Sequence, residues 1–305
     1  MATATRVYNS PLRYPGGKSI LSKLLTDIIL SNNLEGTTYI EPYAGGASVG
    51  LSLLENRIVD RIVLNDADRA VYAFWYSVLH YSESFISRLE AIDVTMEEWY
   101  RQKEIYTKYS KVTLEELGFA FFFLNRTNRS GILMNSGPIG GMKQTGKYKI
   151  DVRFNKQELI NRIRKIQLLG KKITIKNKDA LTLLSEYDES SLAKAVIYLD
   201  PPYYKKGESL YLNNYSQVEH SALARYLQKH KEYNWILSYD YADEVVDLYR
   251  GLNMMNLPIL YSLQDKRMGS ELLVWPNSIQ IPSLIRLGQK SLNADCLLIG
   301  GKLDA

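Results

Sequence analysis

VIYLDPPYY, residues 196–204, joins an apolar run to an acidic residue, two prolines and two tyrosines. A short run of β-branched and aromatic residues predicts a strand buried inside a parallel sheet. Each proline lacks a backbone N–H and restricts the preceding residue to extended backbone, so the strand ends at Asp200. Because open α/β sheets bind ligands at the carboxyl ends of their strands, Asp200 is a candidate site residue. An ordinary strand-ending turn is the alternative, since Asp and Pro are common in turns.

A shorter strand, residues 38–41, leads into the glycine-rich turn YAGGASVG, residues 43–50, and then into a helix. Strand, glycine turn and helix form the first half of a nucleotide-binding α/β unit. Ala47 stands where the dinucleotide pattern G-x-G-x-x-G needs its second glycine, which argues against a pyrophosphate ligand. A nucleoside without phosphates, such as S-adenosylmethionine, fits this turn better. A tight turn that binds no ligand is the alternative.

A second carboxylate follows the next predicted strand, residues 61–65. Asp66 comes about 20 residues after the glycine turn, the spacing at which an acidic residue accepts hydrogen bonds from ribose hydroxyls. A helix N-cap is the alternative role for Asp66, because a helical pattern begins at Ala67. The two roles are compatible.

The sheet pattern stops in the middle of the chain and then resumes. Residues 67–123 have a helical, aromatic-rich pattern, and residues 130–146 predict a mobile loop or hairpin that carries recognition. Residues 155–169 predict a basic amphipathic helix. The later elements are strands at 173–175 and 234–239, a helix at 217–229, and an antiparallel strand pair at 257–263 and 271–275.

Basic residues are concentrated in one segment. Residues 126–178 contain fourteen lysines and arginines against two acidic residues, although the whole chain carries a net charge of only +5. Such a block suggests a surface that faces a polyanion, with a solvated helix face as the alternative over 155–172. The block lies between the two halves of the sheet. We therefore expect a discontinuous catalytic domain, 1–75 and 172–305, and an inserted target-recognition domain, 76–171.

Composition also restricts which metal sites, disulfides and cellular compartments we expect. The single cysteine, Cys296, excludes an internal disulfide framework, and three histidines leave little for a soft-metal site, so we expect no metal. The N-terminus lacks the apolar segment of a secretory signal, and no apolar run is long enough to span a bilayer. These features predict a cytoplasmic protein with no membrane contact.

The strand-end carboxylate suits the activation of an exocyclic amine on a nucleobase. Such an amine is a poor nucleophile because its lone pair is delocalised into the ring. Asp200 and the carbonyl of Pro201 could each accept one amino hydrogen, while Tyr203 stacks on the ring. Transfer would then be direct and in line, with positioning and electrostatics supplying most of the acceleration. A base inside a duplex cannot reach this pocket, so base flipping is implied.

The chain resembles the Dam-type DNA adenine methyltransferases of the α group over about residues 11–276. Five motifs occur in that family's order: LRYPGGK (12–18), YIEPYAGG (39–46), LNDAD (64–68), NRTNRSGI (125–132) and LDPPYY (199–204). The resemblance implies an α/β fold, the Rossmann-like sheet of class I S-adenosylmethionine-dependent methyltransferases. That sheet is mixed and seven-stranded, with its last strand antiparallel, and here it carries an inserted, mainly helical target-recognition domain. The implied activity is site-specific adenine-N6 methylation of double-stranded DNA with S-adenosyl-L-methionine.

The resemblance also implies site residues. The cofactor-binding positions are Tyr14, Lys18, Glu41, Gly45, Gly46, Asp66, Asp179 and Asp200. The reaction centre is Asp200 with Pro201 and Tyr203. The candidates for DNA contact come from the basic segment and are Arg126, Arg129, Lys143 and Lys147. The segment that follows Arg129 departs from that of GATC-specific members, so it does not predict the recognition sequence.

Other substrates and roles remain open at the level of sequence. Methylation of RNA adenine or of a protein glutamine amide needs a similar geometry, and the basic insert argues against the protein substrate. A non-catalytic DNA-binding module that retains the fold is a different class, which the intact motifs disfavour. We expect a monomer, and a cognate restriction endonuclease is a candidate partner.

Overall fold

The computed structural model of the protein describes residues 10–13, 21–133, 136–204, 215–261, 267–287, 290–294 and 297–299. Within these residues a seven-stranded sheet has the order β3-β2-β1-β4-β5-β7-β6. Its strands are β1 (Thr38–Glu41), β2 (Arg61–Asn65), β3 (Ile173–Lys176), β4 (Val196–Leu199), β5 (Asn234–Asp240), β6 (Asn253–Tyr261) and β7 (Arg267–Trp275). Strand β7 is antiparallel to both of its neighbours, and the other pairings are parallel.

The expected sheet is confirmed, including the antiparallel strand pair near its edge. A further hairpin of β8 (Leu284–Leu287) and β9 (Lys290–Asn293) lies apart from the main sheet and was not predicted.

Strand β4 lies in the middle of the sheet, where β1 and β5 pair with it on either side. All of its residues are buried. Val196 and Tyr198 face one hydrophobic core, whereas Ile197 and Leu199 face the other. The uninterrupted apolar sequence follows from this position, because helices cover both faces of a parallel sheet.

The described helices pack on the two faces of the sheet. They are α1 (Ser22–Ser31), α2 (Ser48–Glu55), α3 (Arg69–His80), α4 (Ser82–Ala91), α5 (Met96–Thr107), α6 (Leu114–Thr127), α7 (Lys156–Leu169), α8 (Ala180–Ser185), α9 (Glu189–Ala193), α10 (Gln217–Lys229) and α11 (Asp243–Leu248). Buried residues of α1–α7 belong to one core and those of α8–α11 to the other. No helix among the described residues is long and apolar enough to cross a membrane.

Helix α6 is the centre of the helical segment between β2 and β3. Its phenylalanines pack against those of α3 and α4, and the rings of Phe74 and Phe122 are stacked with centroids 5.7 Å apart. A capping box of Thr113 and Glu116 fixes where the helix begins. The buried residues of this segment are continuous with the core on that face of the sheet. The helical segment is therefore attached to the sheet by packing as well as by the chain.

The contact between α3 and α6 depends on the absence of a side chain at Gly118. A Cβ there would lie 2.7 Å from the carbonyl carbon of Ala73 and 2.8 Å from Ser77 Oγ. We expect Gly118→Ala to lower the free energy of unfolding by roughly 1–3 kcal/mol, because backbone must move to admit the methyl group. Urea unfolding measures this. Gly137→Ala is the matched control, since a Cβ at Gly137 meets nothing within 4 Å. Equal stability of the two variants would contradict the close helix contact.

Candidate active site

Three carboxylates lie at the carboxyl ends of three neighbouring strands. Glu41 is the last residue of β1, Asp66 directly follows β2, and Asp200 directly follows β4. The charges of Asp200 and Asp66 both raise the pKa of Glu41. The structure therefore brings these three predicted residues together at one edge of the sheet.

Glu41 is the most buried of the three carboxylates. Its side chain is 4% exposed, and its Oε2 has no hydrogen-bond partner among the described residues. Burial raises its pKa well above the usual range, and the charge of Asp200 adds to this shift. Burial disfavours the charged form of a carboxyl, and a nearby positive group favours it. Such a carboxyl fits a cationic ligand.

The glycine-rich turn is fixed by bonds on both sides. The N–H of Gly45 donates to Asp66 Oδ2 at 2.9 Å, and its carbonyl accepts from Trp75 Nε1 at 3.0 Å. Gly46 is buried in the same turn. Ala47 adopts the left-handed region, with φ of 49°, immediately before α2. This conformation disfavours a residue with a Cβ, so the position that departs from the dinucleotide pattern keeps a glycine-like backbone.

Asp66 binds the backbone around it. Its two carboxylate oxygens accept from the N–H groups of Gly45 and Asp68, both at 2.9 Å. Burial, followed by the charge of Asp68, raises the pKa of Asp66 to about 7. The alternative prediction that Asp66 caps the following helix is wrong. Asp68 caps α3 instead, accepting from the N–H of Ala70, because the helix begins at Arg69 rather than at Ala67.

Strand β5 holds the segment that follows β4. Ser238 Oγ donates to Asp200 Oδ1 at 3.1 Å, and the hydroxyls of Ser238 and Tyr198 are 2.8 Å apart. Two residues further on, Asp240 Oδ1 accepts from the N–H of Tyr204 at 2.9 Å. Strand β5 therefore forms hydrogen bonds with both ends of the segment 200–204. Sequence reasoning missed Ser238 and Asp240, because only the pairing of β4 with β5 brings them to this segment.

Pro201 is buried and Tyr203 is partly exposed in this segment. Tyr204 packs on the ring of His220, with centroids 4.9 Å apart, and His220 Nδ1 lies against the hydroxyl of Tyr239. His220 is 1% exposed and burial lowers its pKa. A neutral imidazole in an aromatic environment therefore supports the tyrosine that ends the segment.

Asp179 lies on the same side of the sheet, after β3. Its Oδ1 accepts from the N–H groups of Leu181 and Thr182, so it caps α8. Its Oδ2 accepts from the hydroxyl of Tyr215 at 3.4 Å, and that hydroxyl is 2.8 Å from the hydroxyl of Tyr43 in the glycine-rich turn. The tyrosines connect Asp179 to the turn. Tyr14 and Lys18 lie outside the described residues.

The segment that follows α6 folds back on that helix. The N–H of Arg129 donates to Gly137 O at 3.1 Å, and the N–H of Ile139 donates to Thr127 O at 2.9 Å. The side chain of Gln144 bonds three backbone groups of this segment. The expected irregular segment thus has a defined local structure. We call residues 129–149 the recognition loop, after the role that the sequence predicts for this segment.

The four candidates for DNA contact differ in exposure. Arg129, Lys143 and Lys147 are exposed, and Lys147 Nζ lies 5.7 Å from the ring centroid of Tyr148. Arg126 is partly buried and donates from Nε to the carbonyl of Arg153 at 2.7 Å. Burial lowers the pKa of Arg126 to about 9, with further contributions from neighbouring arginines. The exposed three are accessible to a polyanion.

The chain is similar to known DNA methyltransferases. A model of the family described as D12 class N6 adenine-specific DNA methyltransferase matches residues 14–263. A Type II methyltransferase of Methanocaldococcus jannaschii, M.MjaIII, is 23% identical over 263 residues, which cover 80% of this chain and 88% of that protein. The range matched by the family model contains every predicted site residue.

The raised pKa of Asp66 predicts how stability depends on pH. Between the ordinary value of 3.8 and the folded value of about 7, the folded state binds more protons than the unfolded state. Stability contributed by Asp66 is therefore complete below pH 3.8 and is lost as pH rises to about 7, a loss on the order of a few kcal/mol. We expect Asp66→Asn to reduce the fall in unfolding free energy between pH 5 and pH 8, measured in urea.

Asp60→Asn is the control for this experiment. Asp60 is exposed at the opposite end of β2, so the variant removes one negative charge away from the carboxylates. If Asp66→Asn and wild type lose the same free energy between the two pH values, the environment assigned to Asp66 is incorrect.

Proposed function

This chain belongs to the family of D12 class N6 adenine-specific DNA methyltransferases, and from that premise we propose its substrate, cofactor and mechanism in detail. It transfers a methyl group from S-adenosyl-L-methionine to N6 of a flipped-out adenine at a specific site in double-stranded DNA. The observation that carries the proposal is the meeting of Glu41, Asp66 and Asp200 at the carboxyl edge of the sheet. No step in the proposal needs a metal.

The carboxylates match the functional groups of the proposed cofactor. S-adenosyl-L-methionine supplies an electrophilic methyl group on a positively charged sulfonium. The buried Oε2 of Glu41 suits its positive charges, and Asp66 suits its ribose hydroxyls. The backbone of Gly45 and Gly46 permits close approach, and Asp179 is proposed beside the adenine. Tyr14 and Lys18 complete the proposed set by resemblance.

Asp200 and Pro201 are proposed to activate the target amine. The Asp200 carboxylate accepts one amino hydrogen and the Pro201 carbonyl accepts the other, which frees the nitrogen lone pair for in-line attack. Tyr203 stacks on the adenine. Ser238 supports this role by fixing the direction of the Asp200 carboxylate at 3.1 Å. The acceleration then depends on hydrogen-bond acceptors that are already in position before the substrate binds.

The DNA is proposed to lie against the recognition loop. Arg129, Lys143 and Lys147 are exposed cations there, and Arg126 lies at its base. We propose residues 76–171 as the target-recognition domain and residues 1–75 and 172–305 as the catalytic domain, acting as a monomer in the cytoplasm. Similarity to a Type II methyltransferase supports a cognate restriction endonuclease as partner.

Mapping of methylated adenines tests the proposal directly. DNA from cells that express the protein is sequenced for N6-methyladenine, and one recurring sequence context is expected. RNA from the same cells is examined in parallel. Absence of new marks in DNA, together with new marks in RNA, would assign the activity to RNA.

Asp200→Ala is expected to reduce methyl transfer by at least about 100-fold, because the variant loses a preorganised acceptor at the reacting amine. Cofactor binding should largely persist although Asp200 is one of the predicted cofactor positions, because the other positions remain and loss of the Asp200 charge eases ionisation of Glu41. Turnover is measured with radiolabelled cofactor, and cofactor affinity by isothermal titration calorimetry. Asp60→Ala, at the opposite edge of the sheet, is the control. Wild-type turnover in Asp200→Ala would remove this residue from the mechanism.

Lys143→Glu combined with Lys147→Glu is expected to weaken DNA binding. The plot of log affinity against log salt concentration should become shallower by about 1 to 2, because fewer counterions are released. Fluorescence anisotropy at several salt concentrations measures this slope. The matched control reverses two other charges, with Lys194→Glu and Lys231→Glu. Both lysines are exposed near the amino ends of β4 and β5. Equal slopes for the two double variants would mean that the recognition loop does not contact DNA.

A further inference from the structure

Four arginines from separate parts of the chain meet beside the base of the recognition loop. Arg13 belongs to the N-terminal segment, Arg126 to the last turn of α6, Arg153 to a short 3-10 helix before α7, and Arg162 to α7. The charges of Arg13, Arg162 and Arg153 all act on Arg126. We call these four residues the arginine cluster.

Backbone carbonyls hold the cluster together. Arg126 donates from Nε and Nη2 to the carbonyl of Arg153. Arg13 Nη1 donates to Asn128 O at 2.9 Å, and Arg162 Nη1 donates to Ser10 O at 2.9 Å. Carbonyls orient guanidinium groups but carry no net charge. These bonds therefore fix the geometry without removing the positive charge.

Acidic residues do not balance the cluster. Glu158 pairs with Arg162, with Arg162 Nε 2.9 Å from its Oε1. Arg13, Arg126 and Arg153 form no ion pair with an acidic side chain within the described parts of the chain. Burial, and then the charge of Arg153, lower the pKa of Arg13. Like charges held at short range cost free energy, which a bound anion would recover.

A purely structural role accounts for only part of this arrangement. A cation in the last turn of a helix is stabilised by the helix dipole, and Arg126 occupies that position in α6. Arg153 is exposed, and its guanidinium donates to no described backbone carbonyl. The charge of its guanidinium acts on both Arg13 and Arg126, and a structural role does not require this.

We propose that the arginine cluster binds a phosphate group of the DNA backbone. Guanidinium groups match phosphate oxygens in planar, bidentate geometry, and several of them can share one phosphate. The cluster adjoins the recognition loop through Arg126 and through the bond from Arg13 to Asn128. A phosphate bound there would fix the register of the duplex, while exposed residues of the loop approach the bases. This inference rests on the proposed DNA substrate.

Arg153→Gln tests the cluster, because this side chain is exposed and makes no described bond that the fold needs. DNA affinity should fall about tenfold and the salt slope by about 1, as expected for one lost phosphate contact. The DNA concentration that gives half-maximal turnover should rise by about the same factor. Arg153→Lys keeps the charge and should recover most of the salt slope. Arg225→Gln, an exposed arginine of α10, is the control.

Inorganic phosphate provides a second measurement that needs neither DNA nor activity. Phosphate at millimolar concentration should raise the Tm of wild type and of Arg225→Gln by more than that of Arg153→Gln. Suppose that the wild type methylates DNA and that Arg153→Gln keeps the wild-type salt slope. This result would contradict phosphate binding by the arginine cluster and leave the proposed function intact. A protein that methylates no DNA but shows the selective phosphate effect would overturn the function and retain an anion site. Equal Tm shifts in all three proteins would contradict the anion site.

Discussion

The carboxyl ends of three neighbouring parallel strands hold three carboxylates together, and the rest of the candidate site is arranged around them. Strands β2, β1 and β4 are neighbours, so Asp66, Glu41 and Asp200 cannot move apart without breaking the sheet. Burial and neighbouring negative charge raise the pKa of Glu41 and of Asp66. Burial of ionisable carboxyls costs free energy of folding, and such a cost is common at binding sites.

The arginine cluster has the opposite imbalance of charge. It contains four guanidinium groups, and that of Arg162 pairs with Glu158. The two sets lie in different parts of the fold, the carboxylates at the ends of sheet strands and the arginines beside the recognition loop. A positively charged cofactor and a negatively charged duplex would each supply the missing charge. Electrostatics of this kind favours correct ligands and steers a polyanion toward the protein before contact.

Sequence alone predicted the parts of this fold that local chemistry determines. The apolar run before Asp200 predicted a buried parallel strand, and the glycine-rich turn predicted the start of α2. The N-cap of α3 was assigned two residues too early, because Asp66 and Asp68 are both acidic and only the backbone decides between them. The hydrogen bonds that Ser238 and Asp240 form with residues 200–204 depend on which strand pairs with β4. The sequence did not determine that pairing. Charge counting found the basic segment, but Arg13 lies 149 positions before Arg162, so the cluster appears only after folding.

Asn125 connects the N-terminal segment to the base of the recognition loop. Its side chain is 1% exposed, accepts from the N–H of Arg13 at 2.7 Å, and donates to the carbonyls of Arg13 and Gly131 at 2.7 and 3.0 Å. One buried amide therefore joins Arg13, which lies in the first motif, to the base of the recognition loop. A buried amide that satisfies three backbone groups is costly to displace, because each group would lose its partner away from water. The segment that enters the proposed cofactor motif and the loop proposed to meet DNA are thus anchored to the same residue.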